Sequence, residues 1–398
     1  MNESRGIALS GHDIVCLSLP TWDGDYVKST VHLVGRLAAA NRVLFVDWPV
    51  SIPSALSGRR GAARRSLGLE PRLRRLPAPG GGDVHVLTPP PVLPANRLPP
   101  GGLHARLNAW NAAIVGRSVK RAMSRLGMTR PIVISAFNPY HALPLAGCLG
   151  ERARVYYGYD AIEDLAWNGR HGAAMERSYL AQCDLVVTSS DDLRDRKKGL
   201  APRTECVHNG VDFELFHRAA GQRTGDPGLC AGFIGSLDHR VDYDLLEELA
   251  DRRPDLRLLL VGRVLETDRV ARLATRQNVE VVGPVIPESL PGWLSRMDVG
   301  LIPFVCNGFT RGIYPLKLNE YLAGGRPVVM TPFAKIDGFE DVARTASGAE
   351  GFSTAIDDMT REGEAAREKR IDRARSNDWA QRAGQFSRLL AETVDARP

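Results

Sequence analysis

Lys317 and Glu320 stand three residues apart in the run from Gly308 to Val329, which reads GFTRGIYPLKLNEYLAGGRPVV. Pro315 suits the first position of a helix, where its missing N–H costs nothing, and Gly324 and Gly325 suit the stop. A helix over Leu316 to Ala323 would put an ammonium and a carboxylate on one face beside a helix start, itself an anion site. A carboxylate there can accept hydrogen bonds from both hydroxyls of a ribose, and an ammonium can meet phosphates. The competing reading is an exposed ion pair worth a few tenths of a kcal/mol.

Upstream, Gly235-Ser236-Leu237-Asp238-His239-Arg240 follows an apolar strand and precedes a helix from about Asp242. Glycine at a strand's carboxyl end lets backbone amides approach a phosphate, so Gly235, Ser236 and Arg240 fit a diphosphate loop; an ordinary strand-to-helix turn is the alternative. In the first half, Asp160 follows the strand residues Val155 to Tyr157, placed to orient or deprotonate an acceptor hydroxyl, or to cap a helix. In the first loop, Thr21 to Asp25, Gly24 would let backbone approach a transferred sugar and Trp22 would offer an apolar platform; a plain turn is the alternative. His208 and Asn209 read as structural. His141 and His171 lack a partner pattern for a triad. The six cysteines are scattered without metal-ligand spacing, so no metal site is expected.

These residues need a scaffold, and the chain supplies one twice. Short apolar runs alternate with helical periods, the pattern of parallel sheets wrapped by helices. Strands are expected near 14–19, 43–46, 84–87, 132–135, 155–157 and 185–188, with a helix from about Tyr26 to Ala40. After a Gly-rich connection the alternation restarts, with strands near 231–234, 256–261, 279–282, 299–303 and 327–330 and helices near 243–252, 288–297 and 316–323. The stretch from Pro49 to Pro100 reads as a long loop with one strand. It concentrates Arg59, Arg60, Arg64, Arg65, Arg72, Arg74 and Arg75 against Glu70. A solvated basic loop competes there with contact to an anionic lipid or acceptor. No aromatic residues interleave, which argues against nucleic acid.

At 398 residues, two domains are expected: residues 1–212, then 213–375, with 376–398 as a C-terminal helix packing back on the first. A net charge of +6 suits a phosphate-bearing ligand. The N-terminus lacks a signal-peptide pattern and no apolar run reaches the ~20 residues of a spanning helix. A cytoplasmic protein is expected, with peripheral contact at the inner membrane face through the Arg59 to Arg75 region left open.

The run PLKLNEYLAGGRPVV resembles the donor-site segment of retaining glycosyltransferases of family 4, GT-B fold, especially the teichuronic-acid-type branch. CDLVVTSSDDL, VHNGVDFELF and DVGLIPF are similar to the same superfamily, so the resemblance covers most of residues 180–332; PTWDGDYVKSTVHLVGRLAAANRVLFVD is similar with a less distinctive pattern. It implies two Rossmann-like domains with parallel sheets facing across a cleft, and a hexosyltransferase-type reaction. A sugar would move from a nucleoside-diphosphate sugar, UDP- or TDP-linked, to a hydroxyl of a saccharide, lipid-linked saccharide or small metabolite. It implies retained anomeric configuration, no cofactor and no essential metal. Glu320 would bind the ribose, Arg240 and Lys317 would neutralise the diphosphate, Leu316 would open the donor helix, and Arg263 and Val285 would border the base. Two departures stand out. Gly312 occupies a position where relatives often carry glutamate, and Arg240 lacks the lysine that commonly follows. Asp160 stands where many relatives have histidine. A noncatalytic nucleotide-sugar-binding partner, a GT-B-like epimerase and an inverting transferase are the alternatives.

Overall fold

The computed structural model describes residues 6–24, 28–58, 61–164, 171–225 and 227–396. The chain forms two compact units, one of Met1–His208 with Ala380–Pro398 and one of Asn209–Trp379.

The first unit runs β1 (Asp13–Ser18), α1 (Ser29–Leu37), β2 (Arg42–Val46), α2 (Ile52–Ser57), α3 (Ala62–Leu67), β3 (Leu73–Pro77), β4 (Asp83–Leu87), α4 (Gly102–Leu126), β5 (Ile132–Ala136), α5 (Pro139–Leu145), β6 (Ala153–Gly158), α6 (Gly172–Leu180), β7 (Leu185–Thr188), α7 (Asp191–Lys197) and β8 (Thr204–Cys206). Its eight strands order β3-β4-β2-β1-β5-β6-β7-β8. All neighbours are parallel except the edge pair β3 and β4. The central strands bury both faces, as parallel strands covered by helices must, which is why their sequences read as unbroken apolar runs.

The stretch from Pro49 to Pro100 is not the long loop expected. It folds into α2, α3 and the edge strand β3, pairing Leu73 with Leu87 and Leu76 with Val84. Arginine suits an edge strand because its stem covers apolar surface while its head finds a partner. Nor is Glu70 the lone counter-charge: Arg64 meets it at 2.7 Å, Arg65 and Arg74 reach Asp23 at 3.3 and 2.6 Å, and Arg75 reaches Asp83 at 2.5 Å. Arg59 and Arg60 lie outside the described residues. The same contacts tie down the first loop, where Trp22 N–H also donates to Asp47 at 2.8 Å and the Trp22 ring meets Phe45 edge-on at 5.1 Å.

The second unit runs α8 (Phe213–His217), β9 (Cys230–Ile234), α9 (Tyr243–Arg252), β10 (Arg257–Val261), α10 (Thr267–Leu273), β11 (Val279–Gly283), α11 (Leu290–Leu294), β12 (Val299–Ile302), α12 (Gly308–Arg311), α13 (Leu316–Ala323), β13 (Val328–Met330), β14 (Ala343–Thr345), α14 (Gly348–Thr360) and α15 (Glu364–Arg375). Its six strands order β11-β10-β9-β12-β13-β14, all parallel. The order steps outward in opposite directions from β9 and β12, so a crevice opens at their carboxyl ends, where ligands bind in open α/β sheets.

Helix α16 (Trp379–Asp395) carries the chain back to the first unit. There Ser387 accepts from Leu9 N–H at 2.8 Å, Phe386 faces Tyr157 at 5.9 Å and Glu392 pairs with Arg203 at 2.7 Å. No helix among the described residues is long and apolar enough to cross a membrane.

Candidate functional site

At the carboxyl ends of β9 and β10 stand two positions that only glycine can fill. Gly235 and Gly262 end β9 and β10 with φ of +154° and +148°, a region L side chains rarely adopt. Gly235 N–H donates to Val261 O at 2.8 Å. A Cβ on Gly262 would lie 1.9 Å from Gly235 O, and one on Gly235 would lie 2.1 Å from Lys317 Cε. The strand ends therefore lie flush, and Lys317 lies across them with its ammonium 5.6 Å from the centre of the Phe233 ring.

Lys317 is delivered by α13. Pro315 stands at the N-cap rather than the first helical position, with ψ of 119°. Gly324 is the C-cap and Gly325, at φ +72°, reverses the chain, with Arg326 N–H closing onto Tyr321 O at 2.9 Å. Tyr321 is fully buried and its hydroxyl accepts from Ile234 N–H at 2.8 Å. The β9–β12 register ends at Gly232, so this hydroxyl serves a backbone donor that the sheet leaves over. Tyr321→Phe should cost about 1–3 kcal/mol of stability by orphaning that donor, read as a lower denaturant midpoint. Asn319, also fully buried, bonds Tyr314 Oη at 3.2 Å and accepts from Asn377 at 3.0 Å, while Asn209 Nδ2 donates to Tyr314 O at 3.1 Å. The chain segments that enter and leave the unit thus fix the start of α13.

Glu320 and Lys317 do not form an ion pair, and among the described residues neither side chain has a hydrogen-bonding partner. Both keep some accessible surface, yet dense surroundings disfavour their charges. Burial lowers the Lys317 ammonium from its ordinary value, opposed by Glu320 and reinforced by Arg240; burial raises the Glu320 carboxyl, opposed by Lys317. Perturbed, unpaired groups of opposite sign on one helix, with the ammonium lying across a glycine, are the pattern of a ligand site.

Arg240 differs. Asp238, 7% exposed, holds its guanidinium at 2.9 and 2.6 Å, and the same carboxylate takes Arg240 N–H at 3.0 Å. Burial works against the Asp238 carboxylate, but the Arg240 contacts outweigh it and hold its carboxyl below the ordinary value. Ser236 lies between Gly235 and Leu237, whose N–H donates to Arg263 O at 2.8 Å; the Arg263 side chain is exposed. Val285 follows β11, half-buried against the core, and Leu316 opens α13. Gly312 is the buried C-cap of α12 and supplies no carboxylate.

Gly24 and Asp160 belong to the first unit. Gly24 is exposed beside the anchored Asp23, and Asp160 is half-buried between β6 and a short turn at Ile162–Asp164. Asp164 lies 3.6 Å from Arg196. Behind this loop, Glu176 accepts from Tyr156 Oη and Lys197 Nζ, both at 2.6 Å, in a buried cluster that braces β6. Asp191, Cys206 and His208 converge within 4.8 Å, which their spacing did not foretell. The Asp191 carboxylate is occupied by Arg194 at 2.6 Å and His208 at 2.7 Å, and burial pushes the Cys206 thiol up to about 12. This chemistry fits an ion-pair junction better than a cation site.

Sequence reasoning named Gly235, Lys317, Glu320 and Arg240 but gave no part to Asp238, Phe233, Tyr321 and Asn319, which pack against or hold them or the elements that carry them. Asp238 carried one signal, its place two residues before Arg240.

Residues 230–362 match the family described as glycosyl transferases group 1. A putative teichuronic acid biosynthesis glycosyltransferase, TuaH of Bacillus subtilis (strain 168), is 34% identical over 167 residues, which are 39% of this chain and 42% of that protein. The match therefore spans less than half of the relative. Among solved structures, sucrose-phosphate synthase from Thermosynechococcus elongatus superposes with TM-score 0.70 at 14% identity, covering 97% of this chain and 100% of that one. Anabaena HepE, solved in complex with UDP and glucose, gives 0.63 at 15% identity over 96% of this chain and 100% of that one. WaaG, a glycosyltransferase involved in lipopolysaccharide biosynthesis, gives 0.56 at 14% identity over 95% and 99%. The two α/β units are those of the GT-B fold.

Proposed function

We propose that this chain is a glycosyltransferase that moves a sugar from a nucleoside-diphosphate sugar to a hydroxyl acceptor, with retention of anomeric configuration and without an essential metal. The observation that carries the reading is Lys317, which lies across Gly235 at the carboxyl end of β9, with Glu320 three residues along the same helix, both unpaired among the described residues. The match of residues 230–362 to a glycosyltransferase family supports it.

On this reading the nucleotide diphosphate lies over Gly235 and Ser236, with the first N–H groups of α13 and the Lys317 ammonium facing its oxygens. The main barrier is charge separation as the diphosphate leaves an oxocarbenium-like sugar, and fixed donors aimed at the leaving group lower it without reorganising. Arg240 already shares its charge with Asp238, so it shapes the turn and adds a weaker field. Glu320 accepts from the ribose hydroxyls; Arg263 and Val285 flank the base. From the first unit, the reading assigns Gly24 to backbone contact with the transferred sugar and Asp160 to orienting the acceptor hydroxyl, whose proton passes to the leaving phosphate. We place the protein in the cytoplasm, and its six free cysteines suit a reducing compartment.

Calorimetric titration with UDP, TDP, GDP and ADP tests the site; UDP is the first choice because HepE was solved with it. Absence of binding by all four would sink the proposal. The raised Glu320 carboxyl gives this titration a pH signature. Ribose hydroxyls donate to the ionised form, so affinity should be greatest on the alkaline side of the Glu320 titration. It should fall on acidification, beginning above the ordinary glutamate value of 4.5. Glu320→Gln should bind more weakly on that alkaline side, by about tenfold or more, and lose that acid limb. A variant that retains the limb would assign it to another group.

A further inference from the structure

We infer that the cavity between β3, β4 and α4 binds the phosphate head of an anionic lipid. Helix α4 is 25 residues long and contains no aspartate or glutamate, yet it carries Arg106, Arg117, Lys120, Arg121 and Arg125, all exposed. Fourfold spacing puts Arg117, Arg121 and Arg125 on one face, where like charges repel. The two arginines of β3 find carboxylates, Arg74 with Asp23 and Arg75 with Asp83, as does Arg42 with Asp13. Arg121 and Arg125 find none among the described residues.

These two and Arg72 line a cavity of about 250 Å³ with Leu73, Leu87 and Pro90. Arg72 is held in place by Ser66 O at 2.8 Å, so one wall is fixed before any ligand arrives. No carboxylate lines the cavity. Three guanidinium groups with no internal anion call for an external one, and Arg favours phosphate through its planar fork. The apolar walls favour a phosphate attached to a nonpolar body over a free ion. Along the chain towards α3 and α2, Leu69, Leu67 and Leu56 are 62%, 37% and 72% exposed, apolar side chains available to a bilayer. Charge and apolarity together match the interface of an anionic bilayer.

The test is co-sedimentation of the full chain with phosphatidylcholine vesicles, with and without phosphatidylglycerol. The expected result is binding only where phosphatidylglycerol is present. Arg121→Gln/Arg125→Gln should weaken it by about thirtyfold, the effect of two interfacial charges. The control Arg106→Gln/Lys120→Gln removes two charges from the same helix outside the cavity lining and should weaken it clearly less. Equal losses in the two variants would reduce the site to diffuse charge and overturn the inference, as would equal binding to neutral vesicles or none to either. Inorganic phosphate at millimolar level should compete poorly; full displacement by it would mean a free-anion site instead. Binding of nucleotide by both variants, measured separately, keeps this outcome independent of the proposed transferase reading.

Discussion

Lys317→Ala should lower kcat by about a hundredfold to a thousandfold while the protein stays folded, the loss typical of removing one preorganised donor to a developing anion. The expectation follows from how differently the two cations are held. Arg240 is chelated by Asp238, a carboxylate whose own carboxyl it holds down. Among the described residues Lys317 has no ion-pair partner; its ammonium stands over the face of Phe233, and burial works against its charge. On the proposed reading, an ammonium in that condition gains most when a diphosphate arrives, and still more as the leaving diphosphate accumulates charge. The effect should therefore appear in kcat with a smaller change in KM, whereas Arg240→Ala should act mainly through the turn that Asp238 fastens. A Lys317→Ala enzyme within about threefold of the parent would remove this residue from the reaction.

What the sequence discloses about this chain follows the physics of each element. Strands such as RLLLV at 257–261 are buried on both faces and read as plain apolar runs. Strand β3, LRRLP, hides because its arginines find partners through tertiary contacts; the pairing with β4 and the ion pair to Asp23 supply what composition alone denies. Helix α4 hides for a related reason. Its buried face includes Asn108, Asn111 and Gly116 where a periodic pattern needs apolar residues. The asparagines are satisfied from afar, Asn108 by Tyr140 O at 2.9 Å and Asn111 by both backbone groups of Leu93 at 2.8 and 3.0 Å. Local periodicity has no access to such partners. The candidate residues of α13 were legible because a helix start, its proline and its two glycines are local chemistry. Their supports were not: Tyr321 capping Ile234 and Phe233 beneath Lys317 are meetings of segments more than eighty residues apart.

The two strand-end glycines separate what the site needs for folding from what it needs for chemistry. Gly262→Ala should destabilise the second unit by about 3–5 kcal/mol, because it adds strain at φ +148° to a backbone clash that no rotamer relieves. Its Cβ would meet Gly235 O at 1.9 Å, so the ends of β9 and β10 would have to part. Gly235→Ala meets a different neighbour. Its Cβ would lie 2.1 Å from Lys317 Cε and 2.7 Å from Nζ, the far end of a flexible side chain that can swing away. The stability loss should then be the backbone strain alone, about 1–3 kcal/mol, while the ammonium is displaced and turnover approaches that of Lys317→Ala. Thermal unfolding and kcat measured on both variants distinguish the two roles. Should Gly235→Ala retain full turnover, the position of Lys317 over β9 would be incidental to the reaction. Equal stability losses would mean that Lys317 is too tightly packed to move, making its contact with Gly235 part of the fold as well as of the site.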